Sequence, residues 1–233
     1  MRKFLFILVI VTSMTASFSR SAVEKKDEGF VSIFDGKTLD GWEGDPKFWS
    51  VKDGAITGET TKENQPAHNT FIFWKNEMAD FELHCKCREV GGNSGIQFRS
   101  KRLPEYVATG YQADLGPGKN HNGKIYDEGG KRGFLASVGE KSTIDADGKK
   151  QVISTDADAA KYADALDLTQ WIDYTLIVKG NHFQTLINGK LIGDCTDEDK
   201  AHFAATGILA FQLHKSKAAM TVQFKDIEIK KLD

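Results

Sequence analysis

Apolar and polar residues alternate with a period of two along most of this chain. The runs are FVSIF (30–34), KFWSV (47–51), NTFIFW (69–74), DFELHCKCRE (80–89), SGIQFRS (94–100), YTLIVKG (174–180), HFQTLI (182–187), TGILAFQL (206–213) and MTVQFKDIEIK (220–230). In each, one parity is mainly Val, Ile, Leu or Phe and the other mainly polar, the signature of a strand with one face in a core. Asn188-Gly189, between HFQTLI and KLIGD, predicts a type I′ hairpin, and Asp53-Gly54 predicts another. Strands of this number without a long helical period predict an all-β fold, two antiparallel sheets packed as a sandwich.

Two regions depart from the pattern. Residues 134–170 are polar and hold the only helical stretch, AAKYADALD, so they read as a long insertion beside the sheet. Within them DADGKK begins like a calcium loop but lacks its third acidic ligand and closing Glu, which leaves a turn on Asp147-Gly148. At the start, MRKFLFILVIVTSMTASFSRSA sets Arg2 and Lys3 before a short apolar run that fades into small residues. That is the layout of a secretory signal over residues 1–22, with one domain over 23–233 and a secreted or periplasmic destination. The apolar run is far shorter than the ~20 residues of a bilayer span, so no membrane span is expected in the mature chain.

The 233 residues carry a formal net charge of −2, which gives no bias toward nucleic acid or acidic lipid. Cys85 and Cys87 share one face of a strand and read as core residues, while a bridge from one of them to Cys195 stays open.

Candidate chemistry sits on the polar parity. With Ile96 and Phe98 inward, Gln97 and Arg99 face out; Gln112 and Asp114 share a face in GYQADL; Tyr126 and Glu128 share one in GKIYDE; and Gln212 and His214 oppose Leu209, Phe211 and Leu213. An amide-rich, aromatic-edged surface suits a sugar, whose hydroxyls want planar donors and acceptors and whose C–H faces want rings. Trp74, ending NTFIFW, is a candidate rim platform, whereas Trp42, Trp49 and Trp171 read as core or hinge aromatics. The stretch 110–133 concentrates further charge, including Lys131 and Arg132, among seven glycines.

The segments FVSIFDGKTLDGW, FWSVKDGAITG, GGNSGIQFRS, GYQADLG, GKIYDEGGKRG, NHFQTLINGKLIGD and GILAFQLH resemble the 3-keto-disaccharide hydrolase domain family over nearly the whole mature chain. The resemblance implies a concanavalin A-like jelly roll acting on glycosides already oxidised at C3 of the sugar, hence a carbohydrate partner. A C3 ketone acidifies the C2 proton, so a base can form an enolate, the C1 substituent leaves by elimination, and water completes a net hydrolysis. Asp114, Glu128 and His214 are the candidate base and acids; Arg99, Arg132, Gln112 or a divalent metal held by the carboxylates would steady the enolate; Gln97, Tyr126, Gln212 and Trp74 would bind the sugar. The alternatives are a non-catalytic carbohydrate-binding module, which needs the amides and rings but not paired acids with a His, and a structural or adhesion domain.

Overall fold

A computed structural model describes residues 29–233; the segment read as a signal, 1–22, lies outside the described residues. In chain order the strands are β1 (Val31–Ser32), β2 (Trp42–Glu43), β3 (Trp49–Lys52), β4 (Ala55–Thr60), β5 (Thr70–Met78), β6 (Phe81–Val90), β7 (Ser94–Leu103), β8 (Val107–Leu115) and β9 (Ile125–Glu128). They continue as β10 (Phe134–Ala136), β11 (Glu140–Ile144), β12 (Lys150–Thr155), β13 (Ile172–Lys179), β14 (His182–Ile187), β15 (Lys190–Asp197), β16 (Gly207–Leu213) and β17 (Met220–Lys231), with one helix, α1 (Ala157–Asp164).

A ten-stranded sheet runs β12-β11-β15-β14-β13-β6-β17-β4-β3, with β1 on β17, and a seven-stranded sheet runs β10-β9-β8-β7-β16-β5-β2. The expected all-β sandwich is thus present, and the alternation explains its core. Leu83, Cys85 and Cys87 of β6 and Leu176 and Val178 of β13 meet Ile96, Phe98, Tyr111 and Phe211 from the facing sheet. Phe211 stacks on Phe224 at 3.9 Å between ring centroids. Asn188 and Gly189 both carry positive φ, and Leu186 and Ile187 pair with Leu191 and Lys190 across the expected hairpin.

Two expectations are corrected here. Residues 134–170 are not a loop beside the sheet: they supply β10 to one sheet and β11 and β12 to the other, and then α1. β11 runs parallel to β15, a pairing between segments about fifty residues apart that no local pattern announces. The three cysteines are free and buried. Cys195 on β15 is separated from β6 by two strands at about 4.8 Å each, beyond disulfide reach. The turn on Asp147-Gly148 forms as expected, with Gly148 N–H donating to Asp145 C=O at 2.9 Å.

Candidate functional site

The outer face of the seven-stranded sheet carries a cleft of about 400 Å³. Its floor comes from β8, β9 and β16 as Gln112, Asp114, Tyr126, Glu128 and Gln212, and its rim includes Asn69, Phe134 and His214. These side chains converge because Ile96, Ala113, Ile125 and Phe211, their strand neighbours of opposite parity, are fixed in the core.

Asp114 lies at the bottom, 4 % exposed. Its Oδ2 is 3.1 Å from Lys124 Nζ, and its Oδ1 accepts a 2.7 Å bond from Gln112 Nε2. Burial pushes its pKa up to about 6, against the pull of the Lys124 ammonium and the Gln112 bond; the Glu128 charge adds to the rise. Lys124 is equally enclosed, with Nζ 4.3 Å from the centroid of the Phe134 ring and 3.3 Å from His121 Nδ1. Burial, then the Lys124 charge, lowers the pKa of His121, so its ring nitrogen is kept as an acceptor.

Glu128 is reached by two amides: Asn69 Nδ2 donates to Oε1 at 2.9 Å and Gln212 Nε2 at 3.3 Å. Burial, then the nearby carboxylates, raises the pKa of the Tyr126 phenol. The Tyr126 ring lies 5.4 Å from that of Phe134, so the two make the aromatic wall. The loop that presents Lys124 is braced from behind. Asn122 Nδ2 donates to Ala163 C=O at 3.0 Å, and the Asn120 N–H donates to Asp164 at 2.8 Å, both on α1. That helix is capped by Asp156, whose side chain accepts from the Ala159 N–H.

The structure therefore brings Gln112, Asp114, Tyr126, Glu128, Gln212 and His214 to one cleft. Gln97 lies just beneath it, fully buried, with Nε2 donating to Gln112 Oε1 at 2.7 Å. Three other residues stand elsewhere. Arg99 adopts φ +45°, and β7 slips register between Phe98 and Lys101, so the bulge reverses the parity that placed it outward. Its guanidinium is buried, bonded to the carbonyls of Ala79 and Gly180 and to Asp80 Oδ1. Arg132 also turns inward, to Asp127 at 3.3 Å and Asp197 at 2.6 Å. Trp74 packs half-buried against the core and pairs with Trp42 rather than edging the cleft.

Lys124, Asn69 and Phe134 were missed. Extending the 128, 126 parity back by one step would have found Lys124. Among the described residues no group of three or more His, Cys, Asp or Glu side chains could hold a metal ion. Of the carboxylates named for a divalent metal, Asp114 is engaged by Lys124 and Gln112, and Glu128 through its Oε1 by two amides.

Comparison with known proteins bears on the family and the fold. A 3-keto-disaccharide hydrolase of Bacteroides thetaiotaomicron is 32 % identical over 84 residues, which is 33 % of this chain and 29 % of that protein. A crystal structure described as a candidate glycosyl hydrolase of Parabacteroides distasonis superposes with a TM-score of 0.60 at 23 % identity, covering 91 % of this chain and 98 % of that one. The carbohydrate-binding module CBM66 of Bacillus subtilis superposes with a TM-score of 0.53 at 15 % identity, over 82 % of this chain and 96 % of the module. At those identities the two structures bear on the fold alone, that of a jelly-roll, galectin-like sandwich. The match to the family model runs over residues 29–230, so the chain belongs to the 3-keto-alpha-glucoside-1,2-lyase-like domain family.

Proposed function

We propose that this protein is an exported carbohydrate-active enzyme that cleaves 3-keto-glycosides by elimination and hydration. One observation carries the reading: a carboxylate with its pKa near 6 stands 3.1 Å from a buried ammonium at the floor of the cleft. A ketone oxygen and the hydrogen on the neighbouring carbon are separated by about as much as Nζ and Oδ2, so one substrate edge meets both groups at once. Lys124 binds the C3 oxygen while Asp114 takes the C2 proton.

The electron pair of the C2–H bond moves into a C2–C3 double bond, and the charge comes to rest on the C3 oxygen against Lys124, which has just lost its anionic partner. Collapse of the enolate expels the C1 oxygen. His214 protonates the departing oxygen; its ring makes no hydrogen bond to the protein among the described residues. Glu128, whose Oε2 likewise accepts none, takes a proton from the water that adds at C1. Asp114 returns to C2 the proton it removed, which leaves the free 3-keto sugar, and passage of the Glu128 proton to His214 through solvent restores the starting state. A carboxylate whose pKa lies just below neutrality is ionised at pH 7 and stronger as a base than an ordinary Asp, which is what removal of a carbon-bound proton asks for.

The test is incubation with a 3-keto-glucoside and with the parent glucoside, following release of the aglycone. Cleavage of the keto form alone is expected. Cleavage of both at similar rates would indicate ordinary glycoside hydrolysis. Saturable binding of both without release from either would make the protein a carbohydrate-binding module, which the amide-and-ring lining of the cleft also suits.

A further inference from the structure

Beneath the cleft lies a row of amides that no step above uses. Ser100 Oγ donates to Gln97 Oε1 at 2.5 Å, Gln97 Nε2 to Gln112 Oε1 at 2.7 Å, and Gln112 Nε2 to Asp114 Oδ1 at 2.7 Å. A branch continues from Gln112 Nε2 to Gln212 Oε1 at 3.4 Å and from Gln212 Nε2 to Glu128 Oε1 at 3.3 Å. Gln97 and Gln212 are fully buried, Gln112 nearly so, and neither Gln97 nor Ser100 lines the cleft. The row has a direction: every NH₂ points toward a carboxylate and every C=O away from it.

Room for the row is built into β7. Gly95 sits opposite Asp114 in the β7–β8 register, and a Cβ there would lie 2.6 Å from Gln112 Cδ. Its φ is not among the positive ones, so what this position requires of glycine is the missing side chain. The Gln112 amide lies over that gap, and Gln97, directly across the ladder from Gln112, closes it.

We propose that Gly95, Gln97 and Ser100 are positioning residues: they lock the orientation of the Gln112 amide so that its NH₂ always faces Asp114, and thereby set the proton affinity of that carboxylate. An amide can flip at little cost in bond lengths, and a flipped Gln112 would present Oε1 to Asp114. That arrangement suits only the protonated acid. Gln97 opposes the flip, because its own NH₂ needs the Gln112 oxygen, and the Ser100 hydroxyl, which also lies 3.0 Å from the carbonyls of Phe98 and Tyr111, makes its shortest contact with the Gln97 oxygen. The other groups around Asp114 are Lys124, Tyr126 and Glu128 from the β9 side, His214 after β16, and the Tyr174 hydroxyl of β13, which donates to the Asp114 backbone carbonyl at 3.2 Å. Of these only Lys124 bonds the carboxylate, so the Gln112 amide is its one neutral donor from a side chain.

The inference rests on Asp114 being the base, and its test does not need turnover. The Asp114 carboxyl resonance is followed by carbon-13 NMR against pH in the full mature chain. Gln97→Met keeps the length of the side chain but has no NH₂ and no charge, so nothing holds the Gln112 oxygen and that amide is free to turn its oxygen toward Asp114. The Asp114 midpoint is expected to rise by about one unit or more, and the low-pH limb of kcat/KM on a 3-keto-glucoside to move with it. Ser100→Ala, a smaller change that guards against misfolding of the first variant, is expected to raise the midpoint by a few tenths of a unit. An unmoved midpoint in both folded variants overturns the proposal, whatever the activity assay shows. A shifted midpoint in a protein that cleaves no 3-keto-glycoside overturns the catalytic reading and leaves the positioning role standing.

Discussion

Two buried charge clusters stand on opposite sides of the seven-stranded sheet. On the outer side Asp114 meets Lys124; on the inner side Arg132 meets Asp127 and Asp197, and the Tyr111 hydroxyl donates to Asp197 at 2.6 Å. Both are almost wholly removed from water, and the outer pair lines the cleft. The inner cluster is saturated: one guanidinium serves three carboxylates, with Asp199 3.7 Å away as the third, the Arg132 N–H adds a bond to Asp127, and the guanidinium lies over the Tyr111 ring. The outer one is left with a single cation and a raised carboxyl. Buried charge by itself therefore does not mark a site; buried charge with unspent capacity beside an opening does.

Each half of that contrast can be broken separately. Asp114→Asn is expected to lower turnover of a 3-keto-glucoside by about 10²–10⁴-fold while the protein remains folded, because it removes the base without changing shape. Near-native turnover would remove Asp114 from the chemistry. Arg132→Leu should do the reverse, costing about 3–5 kcal/mol of stability by stranding Asp127, Asp197 and Asp199, and lowering Tm by roughly 10 °C in a thermal melt. An unchanged Tm would show the inner cluster to be dispensable.

The smallest expected effect is in the pH dependence of stability. Asp114 is raised from 3.8 to about 6, so the folded state binds its proton more tightly than the unfolded chain does. The stabilisation is complete below about pH 4 and is lost as pH rises through about 6. The Tm of the wild type relative to Asp114→Asn should accordingly fall by a few degrees between pH 4 and pH 7. A flat difference would mean that the carboxyl titrates normally.

Much of this was legible in the alternation of residue types. The outward parity located Gln112, Asp114, Tyr126, Glu128 and Gln212 correctly because β8, β9 and β16 hold their faces over those residues, and a period-2 pattern then maps straight onto space. Arg99 failed where that condition failed. A non-glycine residue at φ +45° in a bulge shifts the count by one, and nothing in SGIQFRS signals it. Gly110, opposite the bulge at φ +130°, takes the bend on the partner strand, and a Cβ there would meet Ser100 at 2.8 Å. Arg132 failed for another reason: it lies in a turn, where alternation has no meaning, and its partner Asp197 is 65 positions away. The strands within 134–170 were hidden because Lys150–Thr155 is an exposed edge strand with no buried parity, and β11 takes its partner from far along the chain.

The placement of β17 has a consequence for the order of assembly. The strand latest in sequence lies in the interior of the ten-stranded sheet, hydrogen-bonded to β6 on one side and β4 on the other, and also carries β1. The hairpin of β3 and β4 has no other link to that sheet, so residues 49–60 wait for residues 220–231 before they can join. Such long sequence separation makes closure slow and late. A chain still being synthesised therefore holds two unjoined parts of a sheet until residues 220–231 emerge to join them.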